Sequence, residues 1–185
     1  NMIKSGNIAY ELARPQDLYF MWASKILGER LSNVALRFLP VLIIGIILPR
    51  PYNLVLNTSF MTFILFLITM SLSTILMTFL VLLYHVICLF TLDEKGVVNI
   101  FMVISDVLSG LIIPIPFFPD YLQKISNVLP FKYISDLPFR LYIGNISTTE
   151  GLIGILVQII WIIILILLGK LITKKALKKA VIQGG

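Results

Sequence analysis

The run from Gly151 to Ile172, GLIGILVQIIWIIILILLGKLI, most constrains what this chain can fold into. Gln158 is the only strongly polar side chain between Gly151 and Gly169. A helix needs about 20 mostly apolar residues to cross the hydrocarbon core, and this run supplies them. TKKALKKA follows at once, with Lys174, Lys175, Lys178 and Lys179. Lysines gathered at one end of a span mark the cytoplasmic side. The expectation is an all-α integral membrane protein whose C-terminus is cytoplasmic.

Composition excludes several other classes. Charged residues make up 13% of the chain and hydrophobic ones 58%, against roughly 25% charged in a soluble domain. The net charge of +6 comes from basic residues at the ends of apolar runs. No polar segment joins basic and aromatic residues, so nucleic acid is not an expected partner. Cys88 is the one cysteine and His85 the one histidine. An internal disulfide is therefore excluded, and no zinc set or other metal site is expected. The opening NMIKSGNIAYELARPQD has no apolar core and is no signal peptide.

Hydropathy divides the chain into a polar and amphipathic segment (1–30), a span at 31–49, and a long span at 59–92. A third span at 97–118, an outer segment at 119–150, the last span at 151–172 and a basic tail at 173–185 follow. Pro40 should kink the first span. The long apolar stretch has neither Gly nor Pro and fits one tilted helix or two short spans. One helix gives four crossings and places Lys4, Arg14, Lys25, Arg30, Arg37, Lys95 and the five lysines from Lys170 onward inside. Only Arg50, Lys124, Lys132 and Arg140 then lie outside. The positive-inside rule favours that arrangement.

Two segments carry more than hydropathy. In SGNIAYELARPQD, Gly6 supplies a turn, Asn7 can cap a helix, and Pro15 restricts Arg14 and so helps end it. An amphipathic stretch, LYFMWASKILGER, leads on to the first span. By itself this also fits an interfacial loop with Tyr19 and Trp22 at headgroup level. In SGLIIPIPFFPDYLQKISNVLPFKYISDLPFRLYIG, Pro114, Pro116 and Pro119 interrupt the third run. Asp120 and Gln123 read as a capping box, and Pro130 breaks the short helix that they begin. Two such pieces are too short to span, and they suit the outer leaflet only if packed on protein.

Both segments resemble parts of the type-2 ABC exporter permeases. The first is similar to the cytoplasmic coupling helix that docks on the ATP-binding subunit. Ser5, Gly6, Asn7, Ile8, Glu11, Leu12, Arg14 and Pro15 fall on it. The second resembles the family's outer re-entrant hairpin, in the branch linked to daunorubicin, viologen and multidrug efflux. Gly110, Pro114, Phe117, Phe118 and Pro119 match, with Leu129, Pro130 and Phe131 ten residues on. Complete members carry six spans, so the resemblance implies that these are the last four, without the N-terminal elbow. It further implies two ATP-binding subunits, a second permease subunit, identical or paralogous, and a bacterial plasma membrane.

The chemistry agrees with a permease that is not an enzyme. No G-x-x-x-x-G-K-[ST] loop and no catalytic set occur, so ATP and magnesium belong to the partner and this chain carries no cofactor. Asp106 lies within the third run, where an ionisable group is a functional hypothesis by default. It fits a hydrated interface or a shallow position near cytoplasmic water. Thr62, Thr69 and Ser73 share a helix face and are either pathway residues or hydroxyls bonded to backbone. The expected function is ATP-driven export of an amphiphile: a drug, toxin, peptide or lipid. A permease for lipid-linked polysaccharide, and a non-transporting membrane anchor or immunity protein, are the alternatives.

Overall fold

In a computed structural model, residues 17–49, 59–88 and 94–183 are described, and every regular element among them is helical. Helix α1, Leu18–Ile47, starts where the Asp17 carboxylate accepts the Tyr19 N–H at 3.0 Å. The amphipathic lead and the first expected span are one helix, and it runs on through Pro40. Proline removes one intrahelical bond, which helices in an apolar environment tolerate when local adjustments satisfy the freed carbonyl. Helix α2, Phe60–Cys88, is a single element, as a stretch without Gly or Pro allows. The Ser59 hydroxyl caps it by accepting the Thr62 N–H.

Helix α3, Glu94–Leu108, has 15 residues and ends well before Phe118. At 1.5 Å per residue it is about 22 Å long, less than the ~30 Å hydrocarbon thickness. Its stop is built from backbone. Gly110 takes a φ of 80°, its N–H donates to the Val107 carbonyl, and the Leu111 N–H donates to that of Asp106. This is a Schellman ending, which glycine permits without a Cβ penalty. The three prolines beyond it cannot resume the helix, so the third apolar run becomes a short helix and a returning arm.

That arm holds a 3-10 turn (Ile115–Phe117) and helix α4 (Asp120–Val128). A second 3-10 turn (Pro130–Tyr133) and helix α5 (Asp136–Tyr142) complete the hairpin. The capping box expected at Asp120 is not formed. Pro119 occupies the cap position, and the Gln123 amide instead donates to the Phe118 carbonyl at 2.8 Å. Gly144, with a φ of 76°, closes α5 by a second Schellman ending.

Helix α6, Thr148–Gln183, begins three residues before the apolar run. Its start is a capping box: Ser147 Oγ accepts the Glu150 N–H, and the Glu150 carboxylate accepts the Ser147 N–H at 2.7 Å. Phe60–Cys88 and Thr148–Leu177 are long and apolar enough to cross a membrane, and Gly96–Leu108 is a shorter apolar helix. Helices α2 and α6 lie side by side and form the main packing contact. They run parallel, because Thr69 and Ser73 meet Gln158 while Phe79 and Leu165 both meet Tyr19. The buried core, including Leu76, Phe79, Leu82 and Leu165, fills the space between them and α1.

Candidate functional site

Two junctions on α6 organise the molecule. The upper one joins the hairpin to the long helices. Leu137 and Leu141 of α5 are buried against Gly154 and Gly151. A Cβ on Gly154 would lie 2.5 Å from the Leu137 Cδ1, and one on Gly151 would lie 2.9 Å from the Leu141 Cδ1. The absence of side chains at these two positions is what lets the hairpin approach.

Below them, Gln158 is fully buried, and its Nε2 reaches three acceptors. These are the Thr69 carbonyl at 3.1 Å, the Ser73 hydroxyl at 3.0 Å and the Tyr133 carbonyl at 2.8 Å. Ser73 itself donates to the Tyr133 carbonyl at 3.0 Å, so it can accept from Gln158. The amide orientation follows, because the reverse would point an oxygen at two carbonyls. One amide thus ties α2, the hairpin and α6 together, while its own Oε1 is buried with no partner among the described residues. Gln158 lies ten residues into α6, so the hairpin descends about 15 Å along that helix.

Substitution here has a predictable order. Gln158→Leu removes the donors but also the orphan oxygen, and should lower stability by about 1–2 kcal/mol. Gln158→Glu should be worse, because a carboxylate has no donor to offer two carbonyls and must be protonated to remain buried. Thermal unfolding in detergent should rank wild type above Gln158→Leu above Gln158→Glu. A Glu variant as stable as wild type would contradict the bonding described.

The lower junction holds the start of α1. Tyr19 is only 2% exposed, and its hydroxyl donates to the Leu165 carbonyl at 3.2 Å. Its ring stacks on Phe79 of α2 and occupies the space a Cβ on Gly169 would need. Lys170 pairs with Asp17 at 2.8 Å and lies 4.2 Å over the Phe20 ring. The Lys170 hydrogen bond holds the Asp17 carboxyl below its usual range. Since the folded-state pKa is depressed, this tie is present above the unfolded value and is lost only as pH falls through the folded one. Both groups are substantially exposed, so the pair contributes little stability.

The residues singled out by sequence separate into groups. Thr69 and Ser73 are buried at the upper junction, while Thr62 belongs to the cap of α2 and bonds Ser59. The Thr69 hydroxyl returns to its own helix at the Phe66 carbonyl. Asp106 is half-buried in the last turn of α3 and acts electrostatically on Arg30 of α1. Next to it, Ser105 donates to the Phe101 carbonyl and accepts from the Tyr84 hydroxyl at 2.6 Å, which joins α3 to α2. In the hairpin, Gly110 makes the turn, Phe118 and Pro130 are buried, and Leu129 and Phe131 are half-buried. Pro114, Phe117 and Pro119 are exposed. Ser5 to Pro15 lie outside the described residues.

Two long apolar helices, α2 and α6, thus carry a proline-rich hairpin seated on the second of them. A family model described as ABC-2 family transporter protein matches residues 1–184. The chain belongs to the ABC-2 transporter family. No curated protein and no solved structure matches it. Its family is the membrane permease component of an ABC transporter rather than the ATPase, and it normally works with an ATP-binding subunit. Missed by sequence were the junction roles of Gln158, Tyr19 and the three glycines. The signals were a lone amide in an apolar run and glycines at 151, 154 and 169 on one helix.

Proposed function

We propose that this chain is the permease subunit of an exporter that moves an amphiphilic small molecule outward by alternating access. Two such subunits, identical or paralogous, enclose the pathway, and two ATP-binding subunits beneath them bind ATP with magnesium. The segment from Ser5 to Pro15 is the coupling helix, the C-terminus is cytoplasmic, and the membrane is the bacterial plasma membrane. The four-crossing topology accompanies this reading. ATP binding shifts the population between inward- and outward-open packings.

The observation that carries this reading is the hairpin seated against α6 at Gly151, Gly154 and Gln158. Its depth along an apolar helix suits an outer gate, because irregular backbone at membrane depth needs protein to pack on. The exposed Phe117, Ile125 and Val128 give the hairpin an apolar surface suited to a hydrophobic cargo. This favours a drug-like amphiphile over a polysaccharide, and membership of the ABC-2 family favours transport over anchoring.

Purification from native membrane should bring down a P-loop ATPase whose turnover rises with an amphiphilic cation. In the same cells, cysteines replacing Asn53 and Asn145 in a Cys88→Ser background should react with an impermeant thiol reagent from outside. Cysteines replacing Lys95 and Gln183 should not. Outside labelling at Gln183, or recovery of the chain without an ATPase, would count against the proposal.

A further inference from the structure

We infer that Tyr19 and Gly169 are a positioning pair that passes movement of the 5–15 segment to the last span. The inference rests on the coupling-helix reading of that segment. Pro15 and Gln16 lead directly to Asp17, so any displacement of the segment enters the described structure at the first turn of α1.

That first turn is held to α6 by three different contacts. Asp17 pairs with Lys170, Phe20 lies under the same ammonium, and Tyr19 bonds the Leu165 carbonyl. The tyrosine is the one of these that is buried, and it fits only because residue 169 is glycine. Ala23, one turn further, is also buried. Ile26 packs on the core and the Arg30 Nε is buried; beyond Arg30 the cover is lost, Leu36 being 74% exposed and Ile47 75% exposed. The helix is therefore packed on its neighbours toward the Asp17 end, and its described side chains beyond Arg30 are mostly exposed.

A push on the segment is then delivered sideways to α6 before it is delivered along α1. The same α6 carries the hairpin at Gly154 and Gln158, about 22 Å and about 16 Å from Gly169 along an unbroken helix without proline. One rigid element therefore touches the cytoplasmic input and the outer hairpin. Spatial intermediacy alone does not establish coupling, and plain helix packing would give the same contacts. The two differ in what happens when the steric fit is repaired without the ring.

The test uses the purified complex with its ATP-binding subunit in lipid nanodiscs, in a Cys88→Ser background. An environment-sensitive fluorophore sits on a cysteine replacing Val128 of the hairpin, which is 71% exposed. Wild type should show an ATP-dependent change in its emission. Tyr19→Ala, and separately Gly169→Ala, should reduce that change at least about fivefold, the lower end of usual coupling factors, with basal hydrolysis retained. Tyr19→Ala/Gly169→Ala removes the collision and should regain thermal stability without regaining the signal. A double variant that regains both shows packing alone and overturns the inference.

Glu11→Lys, run beside these, separates the two levels. If it abolishes the signal while Tyr19→Ala keeps it, the coupling-helix reading stands and the inference falls. If Glu11→Lys leaves the signal intact, the reading falls and the inference with it. Should Gly169→Ala fail to assemble, Tyr19→Phe, which keeps the ring and loses the hydroxyl bond, carries the test. Its signal should be reduced, and wild-type amplitude in both Tyr19→Phe and Tyr19→Ala would overturn the inference.

Discussion

Gly154→Leu should lift the hairpin from α6 and abolish transport while leaving α6 inserted. A Cβ at this position would already meet three Leu137 side-chain atoms at 2.5, 2.6 and 3.1 Å. The whole isobutyl group would have to move, and Leu137 is 5% exposed, with Pro138 and Leu141 buried beside it. Overpacking of this kind costs about 1–3 kcal/mol, and relief of the glycine's helix penalty returns at most about 1. The balance favours undocking of α5, and each 1.4 kcal/mol is about a tenfold change in the docked ratio. A cysteine replacing Leu141 in a Cys88→Ser background should therefore label much faster in Gly154→Leu. Gly28→Ala is the control, because nothing lies within 4 Å of a Cβ there and its effect should be neutral or slightly stabilising. Unchanged labelling and transport in Gly154→Leu would show that the close approach of α5 has no consequence.

The helical elements themselves are largely legible in the sequence, because each depends on local chemistry. The single helix α2 follows from an apolar stretch with no breaker, and the hairpin's two short helices follow from Pro119 and Pro130. The early end of α3 is also written locally, in Ser109-Gly110 followed by three prolines. A hydropathy window averages over that signal and extends the run to Phe118. The capping box at Ser147 and Glu150 is lost in the same way, since both residues are polar and lie outside the apolar run.

The junctions are less legible because they depend on distant residues. Gln158 stands out as the one amide in its span, but its partners Ser73 and Tyr133 are 85 and 25 residues away. No local pattern pairs them. Tyr19 reads as an interfacial aromatic because it lies with Trp22 in an amphipathic stretch, and its burial depends on the space left at Gly169. Thr62, Thr69 and Ser73 are singled out by spacing as one polar face; Thr69 and Ser73 meet Gln158, whereas Thr62 bonds Ser59. Asp106 differs: its half-burial depends on how α3 seats on α2, which residue spacing does not encode.

The second large effect is expected at the proposed coupling helix. The helix that the sequence predicts from Ile8 to Ala13, with Gly6 before it and Pro15 after it, would transmit force only if stiff and seated in the ATPase. Gly6→Pro changes the turn that sets its angle. Glu11→Lys reverses a charge that the coupling-helix proposal places against the partner, and a like-charge contact across an interface can cost several kcal/mol. Lys124→Glu is the control, since α4 belongs to the hairpin at the opposite end of α6 from Lys170.

The deciding measurement is ATP hydrolysis by the purified complex with and without an amphiphilic cation, for wild type, Glu11→Lys, Gly6→Pro and Lys124→Glu. The account predicts that substrate stimulates hydrolysis in wild type and Lys124→Glu. In Glu11→Lys and Gly6→Pro, basal hydrolysis should persist and the stimulation should be lost. Wild-type stimulation in both coupling-helix variants would contradict the account.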